Sequence, residues 1–222
     1  MNKVKTILFD FDGTIMNSND LVIKSWQHTF KTIEGKERPV ETIIRTFGEP
    51  LFITMEKMLP EVPVEEGVEI YRSYLREHFS EMIKPFPGMV ELIQQLKDLS
   101  YTTGLVTSRP KNTTFEGLEK FKLLPYLDCV ISCDDTDKHK PDPEPLLVAM
   151  KKLYTKPEKS IMLGDTKFDI LCARNAGVRS VLVGWQMALT EEEIKGPEGP
   201  DFMIKKPDDL LELLIKEHKE NK

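Results

Sequence analysis

The hydrophobic positions of the chain follow two different patterns, and the change between them divides the sequence. A short apolar run at residues 7–9 is typical of a buried parallel strand. Across residues 17–83 apolar side chains recur instead at helical spacing, as they do at Val22, Trp26, Phe30 and Ile33. Residues 84–88, Lys-Pro-Phe-Pro-Gly, interrupt that spacing and predict a hinge or linker.

Beyond residue 88, helical and strand patterns alternate. The predicted helices cover residues 89–99, 110–121, 144–154, 168–176 and 208–217, and the predicted strands cover 102–106, 129–132, 160–163, 180–184 and 201–204. Such a βαβ order predicts an α/β fold with a Rossmann-like parallel sheet that is covered by helices on both faces. We therefore predict an α/β domain formed by residues 1–15 and 85–222, with a helical insertion at 16–84.

Two carboxylates follow the first strand at a spacing of two residues. In an extended chain residues i and i+2 point to the same side, so Asp10 and Asp12 should project together from the carboxyl end of the strand. Open α/β sheets bind ligands at that end. Gly13 allows a sharp turn there and Thr14 adds a hydroxyl. The alternative is a hairpin with Asp12-Gly13 as its turn, which would leave Asp10 without a role.

The chemistry that uses both acids is phosphoryl transfer. One carboxylate can attack phosphorus, provided that a divalent cation held by several carboxylates offsets the repulsion between the two anions. The second acid can protonate the leaving group and then activate water. This interpretation requires a cation site and phosphate-binding groups at later strand ends.

Candidates for those groups follow the second and third predicted strands, counted from the strand at residues 7–9. Thr107 and Ser108 precede a proline that suits a first helical turn, so a hydroxyl lies beside the free N–H groups of a helix start. The alternative is that one of them only caps the helix. Lys140 lies in a proline-stiffened loop and could neutralise a carboxylate and a phosphate, although a surface lysine is the alternative.

The fourth strand end carries Gly164, Asp165 and, four residues further on, Asp169. The two acids should lie close together at the start of the following helix, where oxygen ligands from several loops suit Mg²⁺. Alternatively, Asp165 is only the N-cap of that helix.

Composition narrows the classes of function. The 222 residues are 40% hydrophobic and 31% charged, which is typical of a globular protein with a substantial core. A net charge of −6 argues against general nucleic-acid binding. The three cysteines lack zinc-type spacing and suggest reduced thiols. No apolar run reaches about 18 residues, and the N-terminus does not resemble a signal peptide, so we expect a cytoplasmic protein without membrane partners.

Taken together, the motifs resemble those of the haloacid dehalogenase-like superfamily. The matching elements are Asp10-Phe11-Asp12-Gly13-Thr14, Thr107, Lys140-Pro141-Asp142-Pro143, and Gly164-Asp165 with Asp169. The resemblance covers essentially the whole chain, and it implies that the helical insertion is a mobile cap and that the first strand is central in the sheet. Within the superfamily the chain is most similar to the phosphoglycolate phosphatase and pyrophosphatase branch.

The resemblance implies a role for each matching residue. Asp10 would be the nucleophile and a Mg²⁺ ligand, and Asp12 the general acid/base whose backbone carbonyl also binds the metal. Thr107 and Lys140 would bind the phosphoryl group, with help from the Ser108 backbone. The remaining metal ligands would be Asp165 and Asp169, the latter directly or through water. Substrate selection would fall to the cap, where Arg45, Gly48 and Glu49 are candidates together with Arg109 of the α/β domain.

Three functions are compatible with these expectations. The first is a Mg²⁺-dependent phosphatase acting on a small phosphorylated metabolite through an aspartyl-phosphate. The second is a sugar phosphomutase of the β-phosphoglucomutase type, which shares the core motifs and hydrolyses its phosphoenzyme slowly. The third is a catalytically idle binding or regulatory protein, against which the intact pair of acids counts. Either a monomer or a homodimer is compatible with the sequence.

Overall fold

The structure, a computed structural model, describes residues 4–220, with side chains described as far as Lys216. Its strands are β1 (Thr6–Phe9), β2 (Met16–Asn17), β3 (Lys84–Pro85), β4 (Thr102–Val106), β5 (Cys129–Ile131), β6 (Ser160–Gly164), β7 (Arg179–Val183) and β8 (Phe202–Ile204). Its helices are α1 (Asn19–Glu34), α2 (Val40–Ile44), α3 (Leu51–Met58), α4 (Val64–Met82), α5 (Met89–Asp98), α6 (Lys111–Lys120), α7 (Glu144–Lys152), α8 (Lys167–Asn175), α9 (Glu191–Lys195) and α10 (Asp209–Glu220). The predicted α/β class is confirmed.

The main sheet contains six parallel strands in the order β5-β4-β1-β6-β7-β8. Strand β1 is central, as the resemblance implied. Its last residue, Phe9, pairs with Leu105 of β4 on one side and with Leu163 of β6 on the other. The carboxyl ends of these three strands are therefore aligned, which brings the residues that follow them to one edge of the sheet.

Both faces of this sheet are covered. Along β1 the side chains of Ile7 and Phe9 join one apolar cluster, and that of Leu8 joins another on the opposite face. This alternation follows from the two-residue repeat of a strand. Because β1 is buried on both sides, its residues 7–9 form a continuous apolar run rather than alternating apolar and polar residues.

Helices α1–α4 form the inserted region and have an apolar cluster of their own. Trp26 lies at its centre, with its ring centroid 5.4 Å from that of Phe30 and 5.2 Å from that of Tyr71. The pair α1 and α4 makes the most extensive contact within the insertion. Leu75 of α4 packs against both this cluster and the main core, so the insertion lies directly on the α/β region.

The prediction of a linker at residues 84–88 is wrong in one respect. Strand β3 pairs in antiparallel fashion with β2, so the two connections between insertion and sheet form a small ribbon. Residue 17 accordingly belongs to a strand and not to the helical segment. This pairing satisfies backbone hydrogen-bonding groups that a free linker would expose, but a strand of two residues is too short to show a periodic pattern.

The turn at Asp12-Gly13 also forms. Gly13 has φ of +75°, its N–H donates to the Met16 carbonyl at 2.8 Å, and Asp12 and Met16 form an isolated bridge. The bridge is parallel and β2 pairs with β3 rather than with β1, so a tight turn follows Asp10 at the sheet edge but the alternative of a hairpin is wrong.

Among the described residues, no helix combines the length and the apolar character that crossing a membrane would require.

Candidate active site

Four segments that follow strands meet at the carboxyl edge of the sheet. The Asp10 backbone N–H donates to the Leu163 carbonyl at 2.9 Å, and the Thr107 N–H donates to the Ile131 carbonyl at 2.9 Å. These bonds extend the sheet by one residue past β1 and β4, so the polar side chains begin where regular pairing ends. The same edge receives Lys140 from the loop after β5 and Asp165 from the end of β6.

Three of the gathered side chains form a compact acidic cluster. Carboxylate oxygens of Asp10, Asp165 and Asp169 lie within 4.8 Å of one another, and all three residues are buried. The Lys140 ammonium donates to Asp10 Oδ1 at 2.8 Å and to Asp169 Oδ1 at 2.5 Å. Three carboxylates thus face this one ammonium group, and burial makes unbalanced negative charge costly.

The electrostatics of the cluster reflect that imbalance. Burial raises the pKa of Asp10 to about 7, the Asp169 carboxylate acts in the same direction, and Lys140 acts against both. Burial and the neighbouring carboxylates also raise the pKa of Asp165 well above its ordinary value. Burial would lower the pKa of Lys140, but Asp10 and Asp169 outweigh it and raise that pKa. An additional cation would relieve the repulsion among the acids, and a set of carboxylate oxygens suits a hard divalent ion.

Asp165 and Asp169 are held by the start of α8. Thr166 is the N-cap of this helix, and Asp169 Oδ2 accepts hydrogen bonds from the Thr166 N–H at 3.1 Å and hydroxyl at 2.7 Å. The cap is therefore Thr166 and not Asp165, whose Oδ1 instead accepts from the Thr14 hydroxyl at 3.3 Å. This arrangement leaves Asp165 directed toward the acidic cluster.

Asp12 has different surroundings from Asp10. Its two carboxylate oxygens accept from Nε and Nη2 of Arg109 at 2.9 and 3.0 Å, and its side chain retains 31% of its exposure. Burial raises the pKa of Asp12, but the Arg109 guanidinium more than offsets that effect and holds the pKa below its ordinary value. The surroundings of the two acids therefore shift their pKa values in opposite directions.

The Thr107-Ser108 segment lies beside Asp10 in the same cleft. Neither residue is the N-cap of α6, which is Pro110. The Thr107 hydroxyl accepts from the Arg109 N–H at 3.2 Å. The Ser108 hydroxyl oxygen is buried without a hydrogen bond to any described residue. A buried hydroxyl of this kind at a cleft can donate a hydrogen bond to an anionic ligand.

The insertion closes over this edge through the segment that follows α2. Gly48 has φ of +82°, and a Cβ at this position would lie 2.5 Å from Thr166 Oγ1. The absence of a side chain therefore permits the close approach of the insertion to the start of α8. Glu49 lines the cleft and accepts from the Thr54 hydroxyl at 2.9 Å while also pairing with Lys57.

Arg45, another predicted substrate-binding residue, lies elsewhere. Its guanidinium donates to Glu193 Oε2 at 3.0 Å and to the Ala188 carbonyl at 3.2 Å, and the residue is exposed. It does not line the cleft that contains Asp10. The structure thus places Arg45 at a contact between the insertion and the segment around α9.

The cleft between insertion and sheet has a volume of about 500 Å³. Three further residues line it, Trp26 of α1 and Arg72 and Arg76 of α4, and none of them was predicted to be a site residue. The two arginines are four residues apart and so lie on one helical face. This spacing of four residues can be read from the sequence. It does not identify a binding site, because charged residues on the solvent-exposed face of an amphipathic helix have the same spacing.

The site is a cluster of buried carboxylates at the carboxyl edge of a parallel sheet, beneath a helical insertion. This arrangement is typical of an α/β enzyme whose active site is built from acidic side chains. Residues 7–183 match the family model described as haloacid dehalogenase-like hydrolase. The chain belongs to this family.

Relatives and solved structures agree with the family. The chain is 35% identical over 212 residues to the pyrophosphatase PpaX of Halalkalibacterium halodurans, covering 96% of this chain and 97% of the relative. A haloacid dehalogenase-like hydrolase from Streptococcus pneumoniae superposes with a TM-score of 0.84 at 25% identity, covering 96% and 99% of the two chains. A candidate phosphoglycolate phosphatase from Lactobacillus plantarum superposes with a TM-score of 0.83 at 27% identity, covering 96% of this chain and 100% of that chain. The chain is accordingly a hydrolase of the phosphatase type.

Proposed function

We propose that the chain is a Mg²⁺-dependent phosphatase that hydrolyses a small phosphorylated metabolite through an aspartyl-phosphate on Asp10. The names of the relatives support a substrate of the pyrophosphate or phosphoglycolate kind. The observation that carries the proposal is the buried cluster of three carboxylates facing Lys140.

The residues present fit a divalent cation. Asp10 and Asp165 would hold Mg²⁺, with Asp169 binding it directly or through water and Asp12 contributing its backbone carbonyl. When bound, the ion would neutralise phosphate charge and polarise the phosphoryl oxygens. The excess of buried carboxylates over ammonium supports this assignment, because such a site gains stability from added positive charge.

The protein groups would divide the reaction into two displacements. The Asp10 carboxylate forms a bond to phosphorus while the bond to the leaving oxygen breaks, and Asp12 supplies the proton that this oxygen takes up. Water then attacks phosphorus, the bond to Asp10 breaks, and Asp12 accepts the proton of the water. Thr107, the Ser108 backbone and Lys140 would hold the phosphoryl oxygens in both steps.

The division of labour between the two regions is part of the proposal. Residues 1–15 and 85–222 would form the catalytic α/β domain, and residues 16–84 the cap that excludes water and selects the substrate. Gly48 supports this role, since the cap segment around it rests on Thr166 beside the acidic cluster. Arg45 would contact substrate only after its pair with Glu193 opens.

The test is to trap the intermediate with p-nitrophenyl phosphate. Wild-type protein should release phosphate with Mg²⁺ and lose this activity with a chelator. Asp12→Ala should still be phosphorylated, because the activated leaving group hardly needs a proton, and mass spectrometry after quenching should locate the phosphate on the peptide that contains Asp10. Hydrolysis should slow by about 10²–10⁴-fold.

Asp10→Asn should form no adduct, since an amide is a poor nucleophile. Asp128→Asn is a matched control, because Asp128 pairs with Lys97 away from the cleft. An adduct on another peptide, or one that persists in Asp10→Asn, would refute the nucleophile assignment. If the wild-type phosphoenzyme were hydrolysed slowly and passed its phosphate to a hexose phosphate, the protein would be a phosphomutase. If no substrate phosphorylated the protein, it would be the catalytically idle protein.

A further inference from the structure

The side chain of Arg109 is almost fully enclosed and forms an ion pair with Asp12. It retains 5% of its exposure and donates from two nitrogens to the two oxygens of Asp12. A planar guanidinium that binds a carboxylate through two parallel hydrogen bonds fixes the plane of that carboxylate as well as its distance. An aspartate without such a partner rotates readily about its last torsion angle.

The guanidinium is itself held on several sides. Its central carbon lies 5.6 Å from the ring centroid of Phe11 and 4.9 Å from that of Phe79, which belongs to α4 of the insertion. The backbone is held as well, since the Arg109 N–H donates to Thr107 Oγ1 and its carbonyl accepts from the Cys133 N–H. Arg109 therefore forms a rigid support beneath Asp12, with contributions from both the sheet edge and the cap.

We propose that Arg109 is a positioning residue that orients the Asp12 carboxylate to take the proton from water during hydrolysis of the phosphoenzyme. This inference rests on the proposed function, in which Asp12 serves that step. As the water oxygen bonds to phosphorus, the phosphorus–oxygen bond to Asp10 breaks and its electron pair returns to the Asp10 carboxylate. The water proton passes to an Asp12 oxygen that retains a free lone pair while Arg109 holds the group in place.

The position of the Asp12 carboxylate affects the two displacements differently. An activated leaving group hardly needs a proton, whereas an attacking water must give one up to a base held in the right place. Arg109 is therefore expected to contribute to water attack and to contribute little to phosphorylation by an activated ester. Two other arginines line the cleft, Arg72 and Arg76, and neither is paired with Asp12.

The test uses Arg109→Met and Arg109→Lys with p-nitrophenyl phosphate and Mg²⁺. Arg109→Met should give a burst of p-nitrophenolate close to one equivalent, followed by turnover that is slower by about 10²-fold, as expected for a misplaced catalytic group. Phosphate should accumulate on the peptide that contains Asp10. Arg109→Lys keeps the charge but not the planar fork, so it should show a smaller accumulation, and it keeps the test valid if Arg109→Met does not fold.

Two comparisons isolate the mechanism. In the double variant Asp12→Ala/Arg109→Met, phosphoenzyme hydrolysis should be no slower than in Asp12→Ala alone, because a residue that acts only through Asp12 has nothing left to position. Arg38→Met is the matched control. Arg38 forms the same fork with Glu34, at 2.9 and 2.5 Å, and lies 4.4 Å from the ring centroid of Phe30, but outside the cleft. It should show no burst and no adduct.

Other outcomes would overturn the inference. If Arg109→Met raised KM for phosphoglycolate and left kcat and the adduct level unchanged, Arg109 would instead bind a second anionic group of the substrate. If it prevented phosphorylation of Asp10, it would act in the first step. An adduct in Asp12→Ala with none in either Arg109 variant would refute this inference alone, whereas no adduct in Asp12→Ala would refute the proposed function.

Discussion

Gly13 provides a direct test of the proposed metal site. Its φ is +75°, and a Cβ built on its backbone would lie 2.0 Å from Oδ2 and 2.4 Å from Cγ of Asp165. Ordinary van der Waals contact for a Cβ begins at 3.4 Å. Gly13→Ala must therefore displace the Asp165 carboxylate by roughly 1 Å or more, in a cluster where the dense packing of protein interiors limits such movement.

Two effects of this substitution have different magnitudes. Placing alanine in the left-handed region costs about 1–2 kcal/mol, which lowers Tm by about 2–4 °C for each kcal/mol in a chain of this size. Moving a ligating or catalytic group by about 1 Å costs about 10²-fold in function. We therefore expect Gly13→Ala to fold with a modest loss of stability and to require about 10²-fold more Mg²⁺ for half-maximal activity.

The assay is hydrolysis of p-nitrophenyl phosphate across a Mg²⁺ titration, with Tm measured in parallel. Gly35→Ala is the matched control, because Gly35 has φ of +74° and nothing within 4 Å of the position that its Cβ would take. It should lose stability from backbone strain alone and keep the wild-type Mg²⁺ dependence. If Gly13→Ala kept the wild-type Mg²⁺ dependence too, Asp165 would not be a metal ligand in the manner proposed.

Three further predictions concern the ionisation of the cluster, the choice of metal and the choice of substrate. The pKa of Asp10 is about 7 in the folded protein, well above that of a solvent-exposed aspartate, so the stability that its protonated form contributes is complete below about pH 4 and is lost as the pH rises toward 7. With a chelator present, the free energy of unfolding of Asp10→Asn should rise relative to that of wild type by an amount of the order of a few kcal/mol between about pH 4 and pH 8, as measured by urea unfolding. A difference that does not change with pH would contradict the raised pKa of Asp10. Ca²⁺ should inhibit, because it accepts more and longer bonds than Mg²⁺ and can engage both oxygens of Asp10; robust turnover with Ca²⁺ as sole metal would count against the site. Glu49→Gln should change the ranking of small phosphate substrates, measured as kcat/KM, and leave the Mg²⁺ dependence unaltered; an equal loss on every substrate would mean that the segment is structural.

Much of the α/β region and the acidic cluster could be predicted from sequence, because they depend on local pattern. The apolar run of β1 is long enough to indicate a buried strand, and residues directly after parallel strands must meet at one edge. The order of strands along the chain is therefore enough to bring four site residues to the same edge, namely Asp10, Thr107, Asp165 and Asp169. The helical spacing of the insertion was equally visible, since it extends over several turns.

The tertiary structure decided the contacts that no local pattern encodes. Arg109 and Asp12 are separated by 97 positions and pair only because β4 lies beside β1. Arg45 was a reasonable candidate for the cleft, yet the orientation of α2 directs it to Glu193, 148 positions away. Strands β2 and β3, with two residues each, are stabilised by each other and have no periodicity of their own to reveal them. Long-range pairing and the packing of the insertion, rather than local sequence pattern, determine what surrounds each acid.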